Sequence, residues 1–420
     1  ITPPLSVGDS PWFSVIDVTT VRLSSSVSPR PPNPLPAFGV RGAVAALAIS
    51  LALLQPQTTQ ADTLDFALGK ALFDRIWTPA PASTDATDGL GPMFDARSCA
   101  ACHPGTRKGR GQAPVVLRLG SRDGRPDSAL GRQAQRRAVP GLSPEVAENL
   151  NEWPRGRPAA GINLSARLAP ALAGTGAFDR VSDDALAALA DPDDTDGDGL
   201  SGRVHWRSLP DGSRRAGRYG WKALEADLAG QVASALVTDM GLSNPRNAAH
   251  QGDCTAAQPD CLQAPHGASD RFDDLEVGAE AFRVLVHYVR RLAPPPVPKD
   301  DQGLRAFTAL GCAGCHRPTL PSETGEPIPA FTDLLLHDMG KALDDGVGEG
   351  DAAPGEWRTA PLLGLGRVLA EGRGLLHDGR ARTLGEALAF HGGEATAAAR
   401  TYRDAPPSLR AQLHRFLEGL

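Results

Sequence analysis

Two pentapeptides carry the strongest chemical signal in this chain: Cys99-Ala-Ala-Cys102-His103 and Cys312-Ala-Gly-Cys315-His316. Two thiols separated by two residues and followed at once by an imidazole match the needs of covalent haem. Each thiol adds to one vinyl group, the spacer matches the vinyl separation, and the histidine turns back onto the iron. Cys-x-x-Cys by itself also occurs in thioredoxin-like redox pairs and in zinc sites. Here it occurs twice, each copy is completed by histidine, and each follows a glycine with a phenylalanine four residues on: Gly69 and Phe73, then Gly303 and Phe307. Two covalent haem c groups are expected, with His103 and His316 as proximal iron ligands. The other cysteines, Cys254 and Cys261, lie seven positions apart in a loop containing Pro, Gln and Asp, and are expected to form a disulfide.

Helices must position these groups. In the second copy Gly303 to Leu310 predicts a short helix that stops at Gly311 and delivers Cys312; in the first, an insertion carrying Pro79, Pro81 and Pro92 separates helix from cysteines. Further stripes at helical spacing are Leu224, Leu228, Val232 and Leu236, then Phe282, Leu285, Val286 and Val289. Near the C-terminus Thr383 and Glu386 form a capping box, and Leu384, Leu388 and His391 follow on one face before Gly392-Gly393. Clear strands are scarce, and Val115 to Leu119 fits a strand or a loop equally. The expected fold is all-α: two cytochrome c-like domains, the first enlarged by loop insertions. The Pro-rich stretch Pro294 to Pro298 suggests boundaries at 62–297 and 298–420.

A formal charge of -6 with scattered arginines leaves no basic surface for nucleic acid. Aromatic residues make up only 5% of the chain, so a cofactor would help to fill the core. The apolar run Ala43 to Leu54 follows Arg41, precedes small residues ending at Ala61, and is too short to span a bilayer. It is predicted to be a signal peptide, with a buried helix as the alternative. The Pro- and Ser-rich residues before Val40 suggest an over-extended gene start, so residues 1–61 are set outside the mature fold. Periplasmic export follows, with no membrane span after cleavage.

The sixth iron ligand decides function, because iron with two protein ligands transfers electrons and iron with an open position binds small oxidants. His391 projects from an apolar helix face, as a ligand or as a core histidine bonded to a carbonyl. His337 and Met339 lie in a potential distal segment without an assigned role. His205, His250, His266 and His287 are expected to be surface or internally satisfied histidines.

The segments DGLGPMFDARSCAACH, DTDGDGLSGR, YGWKALEADLAGQVASALVTDMGLSNP, FTDLLLHDMG, WRTAPLLGLG and LLHDGRARTLGEALAFHGGEA resemble the bacterial di-haem oxidoreductase family, also labelled thiol oxidoreductases. The resemblance covers nearly all of the chain after residue 62. The family is similar in turn to di-haem cytochrome c peroxidases and to the di-haem enzyme that matures methylamine dehydrogenase. In those relatives a His-Asp/Asn-Gly turn precedes the distal ligand of the second haem by fourteen residues, and counting from His377 reaches His391. The resemblance therefore implies bis-His ligation by His316 and His391, a low-potential relay haem. For the first haem it implies Trp221 as the conductor between haems, Gln231 orienting peroxide, and Asp239 as the acid/base. The relatives carry Glu-Met where this chain has Asp239-Met240, two residues short of the expected spacing. On a continuous helix Met240 would point roughly opposite Gln231, so the chain bends or Met240 serves otherwise, for example as a ligand of the first iron. Gln231 and Asp239 could also be ordinary polar positions at a helix end.

Asp194-Thr195-Asp196-Gly197-Asp198-Gly199 alternates carboxylates before a glycine, so Asp194, Asp196, Asp198 and the Leu200 carbonyl could hold one structural Ca2+. The twelfth position is His205 instead of Glu, and a solvated acidic turn is the alternative. The function expected is a periplasmic, peroxidase-like di-haem c-type oxidoreductase with a reactive first haem and a bis-His relay haem. Its partners would be a small redox protein, as electron donor or acceptor, and peroxide or a similar oxidant. The alternatives are an electron-transfer cytochrome with both irons saturated and a protein-modifying oxidase working by long-range hole transfer. Thiol oxidation receives no support, since no unpaired cysteine remains beside a haem.

Overall fold

The computed structural model describes residues 58–84, 87–103, 115–146, 161–209 and 211–420; the predicted signal peptide at Ala43 to Leu54 and the upstream extension lie outside them. The repeated glycine and phenylalanine explain the two helix pairs that frame the molecule. Helix α1 (Thr58–Asp74) packs on α3 (Ala279–Arg290), and α4 (Asp301–Ala309) packs on α6 (Pro407–Gly419). A Cβ added at Gly69 would overlap the Val284 carbonyl, and one at Gly303 would overlap Phe416 and the Asp300 carboxylate. Only glycine permits such close approach. The phenylalanines four residues on are buried where the helices meet: Phe73 lies 5.2 Å from Tyr288, and Phe307 lies 5.7 Å from Phe416 and 5.8 Å from Phe331, ring to ring. The α3 stripe Phe282, Leu285, Val286 and Val289 is buried as its spacing predicts.

Between these pairs, α2 (Leu228–Met240) starts at Asp227, whose carboxylate accepts from Gly230 N at 2.7 Å, and ends at Gly241 with φ 65°. Its buried face is Leu228, Gly230, Ala233, Leu236, Val237 and Met240; Leu224 lies before it. Helix α5 (Leu384–Ala389) begins at Thr383, whose hydroxyl accepts from Glu386 N at 3.2 Å, and ends before His391.

The fold is mixed α/β, which corrects the all-α expectation: among the described residues five small antiparallel sheets accompany the helices. In the largest, β1 (Val115–Ser121) sits between β2 (Gln133–Ala134) and β3 (Ile162–Leu168), pairing Leu117 with Ala166 and Leu119 with Leu164. Its strands come from distant stretches of chain, so local helical periodicity gave no hint of their pairing. Leu117, Leu119, Leu164 and Ala166 turn one face into a small apolar cluster, which leaves Arg118, Ser165 and Arg167 on the other. A second pair, β4 (Leu336–Asp338) with β5 (Glu356–Arg358), places His337 opposite Trp357. Residues Thr58–Leu420 form one compact unit, and none of its described helices is long and apolar enough to cross a membrane.

Gly69→Ala should destabilise the protein by about 1–3 kcal/mol, the usual range for overpacking. In helix α5, Gly385→Ala meets nothing nearer than the Tyr402 hydroxyl at 4.0 Å and should be neutral or slightly stabilising. Denaturant midpoints would check both, and equal effects would contradict the helix-crossing role of Gly69.

Candidate functional site

At the first motif, Ser98 accepts from Ala101 N at 3.2 Å and opens the one-turn helix Cys99–Cys102, from which His103 follows. At the second, Gly311 takes φ 82°, stops α4, and opens the short turn Cys312–Gly314 that leads to His316. His103 Nδ1 lies 3.0 Å from the Pro170 carbonyl and His316 Nδ1 lies 3.1 Å from the Phe331 carbonyl. His391, just past α5, repeats the arrangement with Nδ1 2.8 Å from the Ala387 carbonyl. A carbonyl can only accept, so each Nδ1 carries the proton and each Nε2 keeps its lone pair. Burial drives His103 and His316 down to about 4 and lowers His391 as well, so all three rings are neutral near pH 7. Proximity to His391 adds to the effect on His316, whereas no imidazole is among the groups that shift His103.

The thiols of Cys99, Cys102 and Cys312 are protonated. Burial, reinforced by Asp239, raises Cys99 and Cys102 to about 12, and burial raises Cys312 to about 11. A thioredoxin-like pair needs a depressed thiol, so its chemistry finds no basis here. Cys254 and Cys261 form the expected disulfide, and the four motif cysteines are free.

Both motifs, His391, Trp221, Gln231, Asp239 and Met240 line one cavity of about 1720 Å³. Ordinary ligand pockets hold about 300–1,000 Å³, so this space suits something larger than one small molecule. Two buried guanidiniums point into the same balance of charges. Arg358 donates only to carbonyls, Gly220 at 2.8 Å and Thr359 at 3.3 Å, and among the described residues has no ion pair. Arg373 has a buried Nε without a partner, and its nearest carboxylate, on Glu371, is 3.9 Å away. Buried cations left like this are costly, and the propionates of a haem would neutralise them. Apolar walls, paired thiols, aimed imidazoles and unbalanced cations together fit a haem at each motif.

Helix α2 runs unbroken, so Met240 is about half a turn of the helix surface away from Gln231 and sits in the main apolar cluster at 3% exposure. Asp239 is half-buried, accepting from Gln133 Nε2 at 3.1 Å and from the Thr238 hydroxyl at 3.2 Å; desolvation raises its carboxyl above the ordinary value. Its backbone carbonyl accepts from Asp95 and Ala96, which anchors the segment leading to Cys99. Gln231 lies half-buried beside Gly220. Trp221 donates from Nε1 to the Leu168 carbonyl at 2.8 Å and meets Trp357 edge-on with ring centres 6.5 Å apart.

Trp357, Arg358, Arg373, Arg167 and Lys222 escaped the sequence reading. Trp357 donates to the Leu343 carbonyl, stacks with His377 at 3.8 Å, and has Lys222 and Arg167 over its ring at 4.0 and 4.4 Å. Burial pulls Lys222 down to about 8. A Trp inside a string of polar residues was the available signal, but the cations reach it from β3 and from the turn after Trp221.

His337 uses both ring nitrogens, 2.9 Å from Asp333 and 2.7 Å from Glu394, so neither is free for iron. Burial opposes its charge, yet hydrogen bonds with Asp333, Cys315 and Glu394 raise it to about 12. Met339 lines the cavity. Glu394 also accepts from Ser201 N and Asp338 N, at 2.9 and 2.8 Å. In the acidic loop the structure gathers Asp191 with Asp194 and Asp196, with carboxylate oxygens within 4.8 Å of one another. Asp198 stands apart, accepting from Leu200 N at 2.8 Å, and Leu200 packs its side chain against Gly314. His205 turns away into the interior, 2.6 Å from the Lys222 carbonyl.

A family model described as "Di-haem oxidoreductase, putative peroxidase" matches residues 159–420. The hydrazine synthase of Kuenenia stuttgartiensis, solved under 20 bar of xenon, shares 15% identity with a TM-score of 0.34, over 84% of this chain and 92% of that one. No curated protein matches.

His337→Asn leaves the buried Asp333 and the half-buried Glu394 without their cationic partner, which should cost about 3–5 kcal/mol. Because the folded value is raised from 6.5 to about 12, the stabilisation is complete below pH 6.5 and fades as pH climbs toward 12. Melting temperatures of variant and parent should therefore differ most at acidic pH and converge in alkali; a gap that is constant with pH would refute the ion-pair account.

Proposed function

Because this chain belongs to the di-haem oxidoreductase family, we propose that it is a peroxidase-like, c-type member working in the periplasm, with unequal roles for its two haems. The observation that carries this reading is an asymmetry: His316 has a second carbonyl-pinned imidazole, His391, near enough to act on it, and among the described residues no imidazole acts on His103 in this way. Haem iron with two protein ligands passes electrons, and with an open sixth position it binds a peroxide-type oxidant.

On the second side, Cys312 and Cys315 would hold the haem covalently, and His316 and His391, with neutral Nε2 atoms, would be its iron ligands. On the first, Cys99 and Cys102 would hold the haem and His103 would be its one imidazole ligand. Asp239, whose proton is held more tightly than an exposed carboxylate would hold it, can give that proton to a bound oxidant and recover it. Gln231 offers an amide to orient the oxidant, and the apolar walls keep bulk water away. Trp221, edge-on to Trp357, lies along the cavity lined by both motifs and supplies an aromatic path for electrons. Arg358 and Arg373 would take the propionates.

The signal-like segment and the disulfide support an oxidising compartment outside the cytoplasm. A small redox protein would exchange electrons with the relay haem. Met240 lines the cavity too, and ligation by it would instead saturate both irons and make the protein an electron carrier. The acidic loop, with Asp191 joining Asp194 and Asp196, is read as a calcium site that braces Leu200 against the second motif.

Electron paramagnetic resonance of the oxidised protein separates the readings. The proposal expects a high-spin ferric component that responds to hydrogen peroxide, together with a low-spin one; two low-spin signals indifferent to peroxide would establish the carrier instead. His391→Ala should convert the low-spin component to high-spin, and an unchanged spectrum would remove His391 as a ligand.

Calcium removal by a chelator should lower the melting temperature of the parent but not of Asp194→Asn. Equal responses in both would dismiss the calcium reading.

A further inference from the structure

A second group of metal-binding side chains lies outside the haem cavity and independent of it. His250, His266 and Glu276 each offer a ligand atom within 4.8 Å of the others, and none of the three lines the cavity. They come from three separate stretches. His250 follows the turn after α2, His266 follows the disulfide loop, and Glu276 stands three residues before α3.

Glu276 fixes the floor of the group. Its side chain is fully buried, with Oε2 held by Ser243 through the backbone N–H at 2.9 Å and through the hydroxyl. Ser243 Oγ in turn accepts from Glu276 N at 3.0 Å, so the pair is locked reciprocally. The other oxygen, Oε1, is buried with no hydrogen-bond partner. Among the described residues no lysine or arginine pairs with this carboxylate. An unsatisfied buried carboxylate oxygen carries a large desolvation penalty that a bound cation would remove.

Two imidazoles stand beside it. His250 places Nδ1 3.4 Å from Glu276 Oε2 and 3.2 Å from Ser243 Oγ, and His266 stacks on it with ring centres 4.3 Å apart and planes within 14°. Backbone packing keeps His266 in place, because the next residue, Gly267, touches the Gly89 backbone so closely that a Cβ would not fit. Gly89 in turn abuts the Glu276 side chain. Stacked imidazoles beside a buried carboxylate gain little from one another as plain hydrogen-bonding groups, since Oε2 is already occupied by Ser243.

We propose that His250, His266 and Glu276 form a binding site for a zinc-class divalent transition-metal ion. Two neutral nitrogens and one carboxylate are the donor set of zinc and its neighbours; calcium and magnesium take oxygen alone. His266 is exposed, so water can complete the coordination from the solvent side. Bound there, the ion would staple the disulfide loop to the chain segments that end α2 and begin α3.

The test uses the full-length haem-loaded protein, stripped of loosely held metal with a chelator and then titrated with Zn2+. The expected result is one zinc per chain in addition to haem iron, with Kd below about 1 μM and a rise in melting temperature. His266→Ala removes an exposed side chain, and an unchanged Soret band and iron content would verify its folding; zinc affinity should fall at least about tenfold. Asp194→Asn should bind zinc like the parent, and X-ray absorption at the zinc edge should show two imidazole ligands. Absence of stoichiometric zinc, full affinity in His266→Ala, loss of zinc in Asp194→Asn, or a shell without imidazole would each overturn the proposal.

Discussion

Three imidazoles must stay neutral and correctly aimed inside a largely apolar cavity, and one kind of hydrogen bond achieves this each time. Pro170, Phe331 and Ala387 each offer a carbonyl to an Nδ1–H, which fixes the tautomer and the ring direction together. Burial then keeps the rings from protonating, as the values near 4 for His103 and His316 indicate. These two effects cooperate, because a charged ring would lose its lone pair and bring an unpaired charge into the cavity. The rest of the site is arranged around neutral ligands and balanced charges.

That balance differs from place to place. Arg167 is paired with Asp345 and Glu349, and His337 with Asp333 and Glu394, so these charges are settled by the protein alone. Arg358 has no ion pair among the described residues and Arg373 reaches only Glu371, at 3.9 Å, and both line the cavity. The distinction marks which cations hold the fold together and which await an anionic cofactor. Trp357 lies under the cationic influence of both Arg167 and Lys222, whereas Trp221 touches it only edge-on. Cations over a ring disfavour its oxidation, so of the two, Trp221 is the easier to oxidise.

Much of the site was legible because it is local. The helix stop before Cys312, the Gly/Phe repeat, the capping box before His391 and the disulfide are each written within a few residues, and the chain forms each where it was expected. The three-stranded sheet was missed although Ile162, Leu164, Ala166 and Leu168 alternate at period two, because its partner Val115–Ser121 is far away in sequence. The acidic loop was half legible. Asp198 spends its carboxylate on the Leu200 N–H, an option open to any short acidic side chain in a turn, and Asp191 takes its place by capping Thr195 and Asp196. His250 and His266 looked unremarkable in sequence since their common neighbour, Glu276, gives no local hint of joining them.

The two haem sites also differ in how far the chain must travel to build them, and this has a mechanical consequence. His391 is followed three residues later by Glu394, which binds His337, the Asp338 N–H and the Ser201 N–H, so the distal segment is tied at once to β4 and to the end of the acidic loop. Leu200, in that loop, presses on Gly314 between the second pair of cysteines. The second motif and the segment after His391, proposed as the two sides of one haem, are thereby braced by one short network. Around Asp239 the supports are Gln133, Thr238 and the segment Asp95–Ala96, with no comparable strut reaching across to His103 among the described residues. A rigid bis-imidazole site favours fast electron exchange, because its ligands need not rearrange when the iron changes charge. Under the proposed assignment, a first site with one imidazole and with Asp239 in the lining of the same cavity would leave room for a small molecule to enter, which is the division of labour proposed for the two haems.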